Sequence, residues 1–422
     1  MKLCDKIKKI RKILNVPQKH LALEMKVSAP YISKLENGDK PISKEQLAKI
    51  KKALDIEDIP LTDEEIADFT AELQEWRNLI NDNRLAEASE LQPDLARRAE
   101  LSCDAATQAL YSLYSAGYFW ATGDKAAADK TMSSLSVKIA KLPAEYQLRY
   151  LIMKGAGYVN DHNYKDALYI LLEAEKMNKG FNIAPAGFFY SIAVCFAMLG
   201  YSYKAEKYIQ KSRKRFADEG RKTFETPLSN LEAICCTNTG RPTEALKILS
   251  DCLRFEKLRA NSSRFIGGIY HNLGCAYIKL LDYDKAIKQF NLAFKHYDKN
   301  SILYATSLYF KSSALIALDQ VNDGLRCIDE GLSISADNEL FKLMFKALKH
   351  SCSLNCDESL HYIENIAIPG FLEAERYLRV IEYCAKLEEH YVSENKYKLA
   401  LKYSKMSYFY YKKIMEGRVY HE

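Results

Sequence analysis

The sequence predicts an all-α protein in which a small N-terminal helical domain is followed by a long helical repeat domain. Three observations predict this class. The 422 residues include only 10 prolines and 17 glycines, the N-terminus carries apolar residues at helical spacing, and a small residue recurs about every 40 residues. A chain of this length holds more than one domain. We expect domains at residues 1–56 and 69–417, joined by a linker at 57–68.

The N-terminal segment has the pattern of four short helices. The first is predicted at residues 2–14, where an apolar stripe runs along an otherwise basic helix. Pro17 is suited to begin the second helix, Ser28 to cap the third, and Gly38 to end it in the left-handed conformation. A fourth helix is expected to start near Ser43. The stripe consists of Leu3, Ile7, Ile10 and Leu14.

The order of small and apolar residues in the second and third helices is typical of a helix-turn-helix. Ala22 is small at the point where the two helices must cross closely. Residues 27–38 resemble the Cro/C1-type (XRE) helix-turn-helix closely, and the resemblance covers about residues 3–56. Lys26 departs from it, because this turn position often holds glycine, and a positive φ there costs a lysine about 1 kcal/mol. The matching positions are Gln18, Ala22, Val27, Ile32 and Leu35.

This resemblance implies that the third helix enters the major groove of double-stranded DNA by its N-terminal half. Lys34 can donate to guanine O6 and N7, whereas Gln18 and Asn37 match positions that contact phosphate. For Tyr31 the alternative is packing against the first helix. The residues expected to face DNA on this helix are Ser28, Ala29, Pro30, Tyr31, Ser33 and Lys34.

Charge is distributed unevenly along the chain. The first 56 residues hold fourteen lysines and arginines against six acids, whereas the net charge of the whole chain is +6. Such a local excess of positive charge is typical of a nucleic-acid-binding module, although a solvated basic helix has the same composition. Residues 57–100 hold thirteen acids against four bases. Pro60 and a capping box at Thr62 and Glu65 indicate a hinge at about 56–62, at the start of the predicted linker.

A small residue recurs in the remainder of the chain at successive steps of 38 to 41 residues, from Ala88 to Gly324. This pattern is typical of tetratricopeptide repeats, in which a small residue allows the two helices of a pair to cross. We therefore expect about nine helix pairs coiled into a right-handed superhelix with a concave inner face. The small positions are Ala88, Ala127, Ala167, Ala205, Ala245, Ala286, Gly324 and Ala400, with Leu360 as a weak match.

Polar side chains recur at positions that the repeat register assigns to the concave face. Asparagine supplies both a donor and acceptors, so it can hold the backbone of an extended peptide, and tyrosine rings can cover apolar side chains. For each residue the alternative is helix capping or plain solvent exposure. The candidate ligand-binding residues are Arg149, Asn160, Tyr190, Asn230, Asn238, His271, Asn272 and Tyr309.

An XRE-type helix-turn-helix followed by about nine repeats of nearly 40 residues resembles the RRNPP family of bacterial peptide-pheromone receptors over essentially the whole chain. The resemblance implies a homodimeric transcription regulator that binds an inverted repeat. It also implies that a short signalling oligopeptide binds the concave face and switches DNA affinity in quorum sensing. A shared fold does not by itself establish this function.

The alternative function is that of a Rap-like regulator that binds a response regulator, alone or in addition to binding DNA. In that case a glutamine such as Gln74 or Gln108 can position a water molecule, although a plain surface role is the simpler interpretation. An independent enzyme is not expected, because the chain lacks a P-loop, a dinucleotide-binding glycine motif, a zinc-protease motif and a nucleophile elbow.

Neither a cofactor nor a metal is expected. The eight histidines have no ligand spacing, and the 11 cysteines fit buried apolar residues of a reducing cytosol better than a metal or redox site at Cys235–Cys236 or at Cys352 and Cys356. No segment reaches the roughly 18 apolar residues that a membrane span needs. Because no signal peptide is apparent either, we expect a cytoplasmic protein.

Overall fold

A computed structural model describes residues 3–56, 63–101, 104–220, 224–258, 263–336 and 338–416, and regular structure in these ranges is helical without a strand. The predicted all-α class is therefore confirmed. The chain divides into two compact units, which are described separately. Unit 1 comprises Met1–Gly157 and Ala174–Asn182, and unit 2 comprises Tyr158–Glu173 and Ile183–Glu422. None of the described helices is long and apolar enough to cross a membrane.

Unit 1 begins with the four predicted short helices. Their bounds lie within one or two residues of the predicted ones, and apolar side chains from all four meet in one core. Ala22 is 4% exposed in this core, as its crossing position requires. The helices are α1 (Leu3–Ile13), α2 (Gln18–Glu24), α3 (Ala29–Glu36) and α4 (Lys44–Ala53).

The caps of these helices follow the sequence pattern with one exception. Lys26 has a φ of +55° in the turn between α2 and α3, and Gly38 has a φ of +82° after α3, as expected. Ser43 and Gln46 form a capping box at the start of α4. Ser28 occupies the N-cap position of α3 with extended backbone, but its side chain makes no capping hydrogen bond. The hydroxyl of Ser28 is thus not used by the helix.

The rest of unit 1 is built from the first repeats. Helix α5 begins at Asp63, inside the predicted linker at 57–68, so residues 63–68 are helical, while Pro60 and Thr62 lie outside the described residues. Trp76 is fully buried here and donates from Nε1 to the carbonyl of Ala88, 2.8 Å away. The helices are α5 (Asp63–Asn81), α6 (Leu85–Leu101), α7 (Ala105–Thr122), α8 (Lys125–Ile139) and α9 (Ala144–Asn160).

Unit 2 continues the series of paired helices, and the boundary between the units falls near the end of α9 and within the next helix. Its helices are α10 (Tyr164–Phe181), α11 (Ala186–Met198), α12 (Ser202–Asp218), α13 (Glu225–Asn238), α14 (Pro242–Leu258), α15 (Ser263–Lys279), α16 (Tyr283–Ala293), α17 (Ile302–Ala317), α18 (Val321–Ile334), α19 (Glu339–Ser351), α20 (Asp357–Tyr362), α21 (Ile368–Glu373), α22 (Tyr377–Ser393) and α23 (Tyr397–Glu416). A π-helical turn at Ile363–Ala367 joins α20 to α21. Counted in sequence order along the described chain, α5 to α23 fill the helix positions of nine repeats, with α20 and α21 sharing one position.

Most of the recurring small residues lie in the core, where their size is needed. Ala167, Ala205, Ala245 and Ala286 are fully buried, and a Cβ at Gly324 of α18 would lie only 2.7 Å from Cγ1 of Ile316 on α17. The prediction was wrong by one residue in α8. Ala127 is partly exposed there and the neighbouring Ala128 is fully buried, because the helix presents the next position to its partner.

Candidate functional site

The third helix presents a polar face to solvent in the N-terminal domain. Ser28, Pro30, Lys34 and Asn37 are exposed, whereas Ala29 and Ser33 are half-buried. The opposite face of α3 is anchored by Ile32 and Leu35, which are 1% and 2% exposed. The predicted DNA-facing residues therefore lie on or beside one accessible strip of α3, opposite its buried seam.

Tyr31 is held in place by α4. Its hydroxyl accepts a hydrogen bond from Gln46 Nε2 at 2.8 Å, its ring packs against the core, and the ammonium of Lys40 lies 4.8 Å from the ring centroid. The half-buried ring is thus fixed from the α4 side. Its exposed edge remains part of the α3 surface.

A buried ion pair, not predicted from the sequence, connects α1 to the end of α3. Arg11 donates from Nε to Glu36 Oε1 at 2.6 Å and from NH2 to Oε2 at 3.0 Å, and Glu36 is 1% exposed. Arg11 also donates to the carbonyl of Val16 at 2.7 Å. Burial raises the pKa of Glu36, but hydrogen bonds from Arg11 and Gln18 outweigh it, so the pKa lies below its ordinary value.

The two predicted phosphate-contacting residues have partners within the domain. Gln18 donates from Nε2 to Glu36 Oε2 at 2.7 Å, and Lys8 donates from Nζ to Asn37 Oδ1 at 2.9 Å. The first bond orients the Gln18 amide so that its oxygen points away from the carboxylate. The second brings a lysine ammonium next to the exposed end of α3. Both arrangements leave a donor or a cation near the surface where phosphate contacts are expected.

In unit 2, the first helices of three successive pairs lie side by side, because α15 packs against both α13 and α17. This brings together two of the predicted asparagines. Asn272 of α15 donates from Nδ2 to Asn230 Oδ1 of α13 at 2.9 Å, and both side chains are partly exposed. The pair retains one free amide donor group and one free carbonyl oxygen, which is the capacity needed to hold a peptide backbone.

His271, next to Asn272, is fixed in the neutral form. Its Nδ1 lies 2.8 Å from the hydroxyl of Ser307 on α17, and its Nε2 lies 3.6 Å from Cys275 Sγ. Burial lowers the pKa of His271 to about 4. The imidazole ring also meets the edge of the Phe310 ring, with centroids 5.5 Å apart. His271 therefore links the asparagine pair to an aromatic residue on α17.

Phe310 in turn contacts Arg379, an arginine that was not predicted from the sequence. The Arg379 guanidinium of α22 lies 5.2 Å from the Phe310 ring centroid and 4.7 Å from that of Tyr309. Contacts thus run without a break through α13, α15, α17 and α22. We call the side chains of Asn230, His271, Asn272, Phe310 and Arg379 the inner surface. Tyr309 is the last first-helix position predicted from the sequence, although α22 is also the first helix of its pair.

Tyr309, one of the predicted ligand-binding residues, is buried. The residue was expected to offer its ring to a ligand, but it is only 1% exposed, because Arg379 covers the ring and its hydroxyl lies 3.4 Å from that of Tyr383. Burial raises the pKa of Tyr309 to about 12. Tyr309 therefore supports Arg379 from beneath.

The remaining predicted ligand-binding residues are not part of this contact network. Arg149 lies in unit 1, where it pairs with Glu145 at 2.7 Å. Asn160 is exposed at the end of α9, and Asn238 is the partly exposed last residue of α13. The Tyr190 ring meets the Phe224 ring edge-on, with centroids 6.2 Å apart. Their proposed contacts with a ligand stay predictions.

The glutamines and cysteines considered for water activation, metal binding or redox chemistry lie among ordinary packing and hydrogen-bonding partners. Gln74 accepts a hydrogen bond from the Tyr114 hydroxyl at 3.0 Å, and Gln108 is half-buried on α7. Burial raises the pKa of Cys235 to about 12 and that of Cys236 to about 11, so both stay protonated thiols at neutral pH. Within the described residues, no group of three histidine, cysteine or acidic side chains is arranged to hold a metal ion.

Known proteins resemble this chain both in the N-terminal helix-turn-helix and over nearly its whole length. Residues 7–59 match the helix-turn-helix domain family. Over 407 residues the chain is 23% identical to the transcriptional activator NprA of Geobacillus stearothermophilus, an alignment that covers 92% of this chain and 98% of NprA. The similarity to NprA thus extends over both the N-terminal domain and the repeats.

Two solved structures have a similar fold. NprR in complex with its cognate peptide NprX matches with a TM-score of 0.70 and 21% identity, covering 81% of this chain and 98% of NprR. A Rap protein complexed with competence and sporulation factor matches with a TM-score of 0.71 and 14% identity, covering 83% of this chain and 100% of the Rap chain. The helix-turn-helix, the relative and the shared fold together confirm the resemblance of this chain to the RRNPP family.

Proposed function

We propose that this protein is a sequence-specific DNA-binding transcription regulator whose affinity for DNA is switched by a short signalling peptide. Two observations together carry the proposal: an exposed polar face of α3 that includes Lys34, on a helix-turn-helix core, and a polar inner surface in the repeats. The similarity to NprA supports the first part. The shared fold with NprR in complex with its peptide supports the second.

DNA is recognised through α3. Ser28, Pro30, Lys34 and Asn37 are exposed, and the Lys8 ammonium lies beside Asn37, so base contacts and phosphate contacts come from adjacent residues. Ala29, Tyr31 and Ser33 flank this strip. As a homodimer in the cytoplasm, the protein binds an inverted repeat whose half-sites are separated by about 34 Å, one turn of the double helix.

The peptide is held at the inner surface. Asn230 and Asn272 bind its backbone, and Phe310 and neutral His271 contact its apolar side chains. Because these residues come from several helices, the bound peptide favours one relative arrangement of those helices over others. A coupling of about 1–3 kcal/mol between the peptide site and the DNA site changes DNA affinity by about 5- to 150-fold.

The test begins with the full chain and a pool of random duplexes. Duplexes that the protein retains are sequenced, and their affinities are measured by fluorescence anisotropy at several salt concentrations. We expect a selected sequence that binds tightly and more weakly as salt rises. Lys34→Ala should weaken binding by about 5- to 150-fold. Lys247→Ala, which removes an exposed lysine of α14, is the matched control and should bind like the wild type.

A Rap-like regulator of a response regulator is the second candidate, favoured by the TM-score of 0.71 to a Rap protein. The two candidates predict different results in the same selection. If no duplex is enriched over the random pool, DNA recognition is excluded and the protein-partner hypothesis takes its place. If duplexes are enriched and Lys34→Ala abolishes the enrichment, the DNA-binding regulator stands.

A further inference from the structure

Arg379 is held on the inner surface without using most of its hydrogen-bond donors. Its guanidinium lies over the rings of Tyr309 and Phe310, at 4.7 and 5.2 Å from their centroids, and NH1 donates to Glu382 Oε2 at 2.5 Å. Ring contacts of this kind attract the cation and fix its plane, but they occupy no N–H group. A guanidinium has five such groups, so Arg379 can bind a further acceptor.

The surroundings of Arg379 carry more positive than negative charge. The carboxylate of Glu382 is the ion-pair partner of Arg379. The same carboxylate also interacts electrostatically with Lys386 and Lys279. Burial raises the pKa of Glu382, but Arg379 and the two lysines outweigh burial and lower it. Arg376 adds another cation at the N-terminal end of α22, where the helix dipole is also positive. Glu375, the nearby acid of that turn, pairs with Lys165 at 3.1 Å.

These cations come from two helices of unit 2, Lys279 from α15 and the others from α22 and its N-cap. Lys279 lies on the same face of α15 as His271 and Cys275, because the three residues are four apart. Lys386 lies over the Tyr383 ring at 5.4 Å and donates to Ser351 at 3.1 Å. The side chain of Arg379 is 20% exposed and that of Glu382 is 30% exposed, so solvent and small groups reach the pair. An anion that binds here gains from several cations at once.

We propose that Arg379 is the subsite at which a carboxylate of the peptide ligand binds, with Lys279 completing the positive field. The inference rests on the proposed peptide-binding function and adds the chemical class of group that the peptide must carry. Contacts connect Arg379 through Phe310 and His271 to the asparagine pair, so one extended peptide can bind both ends. Its carboxylate comes either from the C-terminus or from an aspartate or glutamate side chain.

The test uses the full chain and three pools of short random peptides. The first pool has free C-termini and no aspartate or glutamate, the second has amidated C-termini but includes both acids, and the third is amidated and lacks both. Peptides retained by the protein are identified by mass spectrometry, and their affinities are measured by calorimetry. Binders from the first pool alone assign the C-terminal carboxylate, and binders from the second alone assign a side chain. Equally tight binders from the third pool overturn the inference.

Variants of the ion pair provide a second readout. Arg379→Gln should weaken the selected peptides by about 10- to 100-fold, the loss expected for a charged hydrogen-bonded pair. Glu382→Gln should instead strengthen them, because the competing carboxylate is gone. Arg326→Gln is the matched control, since this α18 arginine is 79% exposed and pairs with Asp323 three residues away. Each variant is first checked for native circular dichroism.

The outcomes separate this inference from the function on which it rests. If peptides bind but Arg379→Gln and Glu382→Gln bind them as tightly as the wild type does, the carboxylate subsite is wrong and peptide binding stands. If no peptide from any pool binds, the proposed peptide-binding function fails and the subsite fails with it. Opposite effects of the two substitutions support the subsite even if one variant is less stable, because a general loss of fold weakens both.

Discussion

Two arginine–glutamate pairs in this chain differ in what surrounds them. In the N-terminal domain, the side chains of Arg11 and Glu36 are 10% and 1% exposed, and both carboxylate oxygens of Glu36 accept hydrogen bonds. On α22, the side chains of Arg379 and Glu382 are 20% and 30% exposed, with a single hydrogen bond between them. The first pair is closed to other groups, whereas the second is open to them.

The difference shows how an ion pair that stabilises a fold is distinguished from one that can bind a ligand. A buried ion pair is stable only when its remaining hydrogen-bonding groups find partners inside the protein. Gln18 donates such a hydrogen bond to Glu36, and the Val16 carbonyl accepts one from Arg11. A partly exposed pair with an excess of neighbouring cations keeps unused capacity. Three predictions test the two pairs and the regions of the chain that contain them.

The largest effect is expected when a carboxylate is removed from each pair. Glu36→Ala leaves the Arg11 charge buried without its partner and should destabilise the N-terminal domain by about 3–5 kcal/mol. Glu382→Ala should cost less, about 1–2 kcal/mol, because the partly exposed Arg379 keeps access to water after its partner is removed. Hydrogen exchange read out separately on α1–α4 and α22 measures both changes in the full chain. Similar losses in the two variants would contradict the comparison.

Acidification should affect the two regions in a fixed order. The pKa of folded His271 is about 4, below its ordinary value of 6.5, so protonation favours the unfolded state. The stability that this neutral histidine provides is present above pH 6.5 and is lost as the pH falls towards 4. Near pH 5 the loss should be about 2 kcal/mol in unit 2.

The N-terminal domain should lose its stability at lower pH. The pKa of Glu36 lies below 4.5, so its contribution is present above that value and disappears only as the pH falls further. Urea unfolding followed by hydrogen exchange at several pH values measures both regions. His271→Gln should flatten the change in unit 2 between pH 7 and 5 and leave the N-terminal domain unaffected. An unchanged pH profile in this variant would argue against the neutral histidine.

The smallest effect concerns the third donor to Glu36. Gln18→Ala removes one hydrogen bond from a charged acceptor and should cost about 1.5 kcal/mol of domain stability. If Gln18 also contacts phosphate, the variant should bind the selected duplex more weakly under conditions in which it is fully folded. Thermal unfolding and anisotropy distinguish the two roles. Full DNA affinity in the folded variant would leave Gln18 a purely structural role.

The sequence predicted best those features that depend on local spacing. The caps around Lys26, Gly38 and Ser43 depend on neighbouring residues, and the repeat period follows from small residues that allow helices to cross. The Ala127 error shows the limit, because periodicity does not distinguish two adjacent alanines. Arg11 and Glu36 lie 25 residues apart, and no spacing rule relates them.

The same limit applies to the candidate ligand site. Asn230 and Asn272 were predicted individually, because each occupies a first-helix position of its repeat. Their contact with each other, and the path through Phe310 to Arg379, depend on how successive pairs rotate in three dimensions. Tyr309 was assigned to the surface for the same reason, since the sequence does not indicate that an arginine of a distant helix covers it.

The proposed coupling between peptide and DNA is tested most directly by the DNA affinity of the full chain with and without a selected peptide. This affinity is measured by anisotropy on the selected duplex, in the wild type and in Asn272→Ala. We predict that the peptide changes the Kd for DNA of the wild type by about 5- to 150-fold. In Asn272→Ala, DNA binding without peptide should be unchanged and the response to peptide should be lost. A peptide that binds the wild type without altering its DNA affinity would show that the two sites are not coupled.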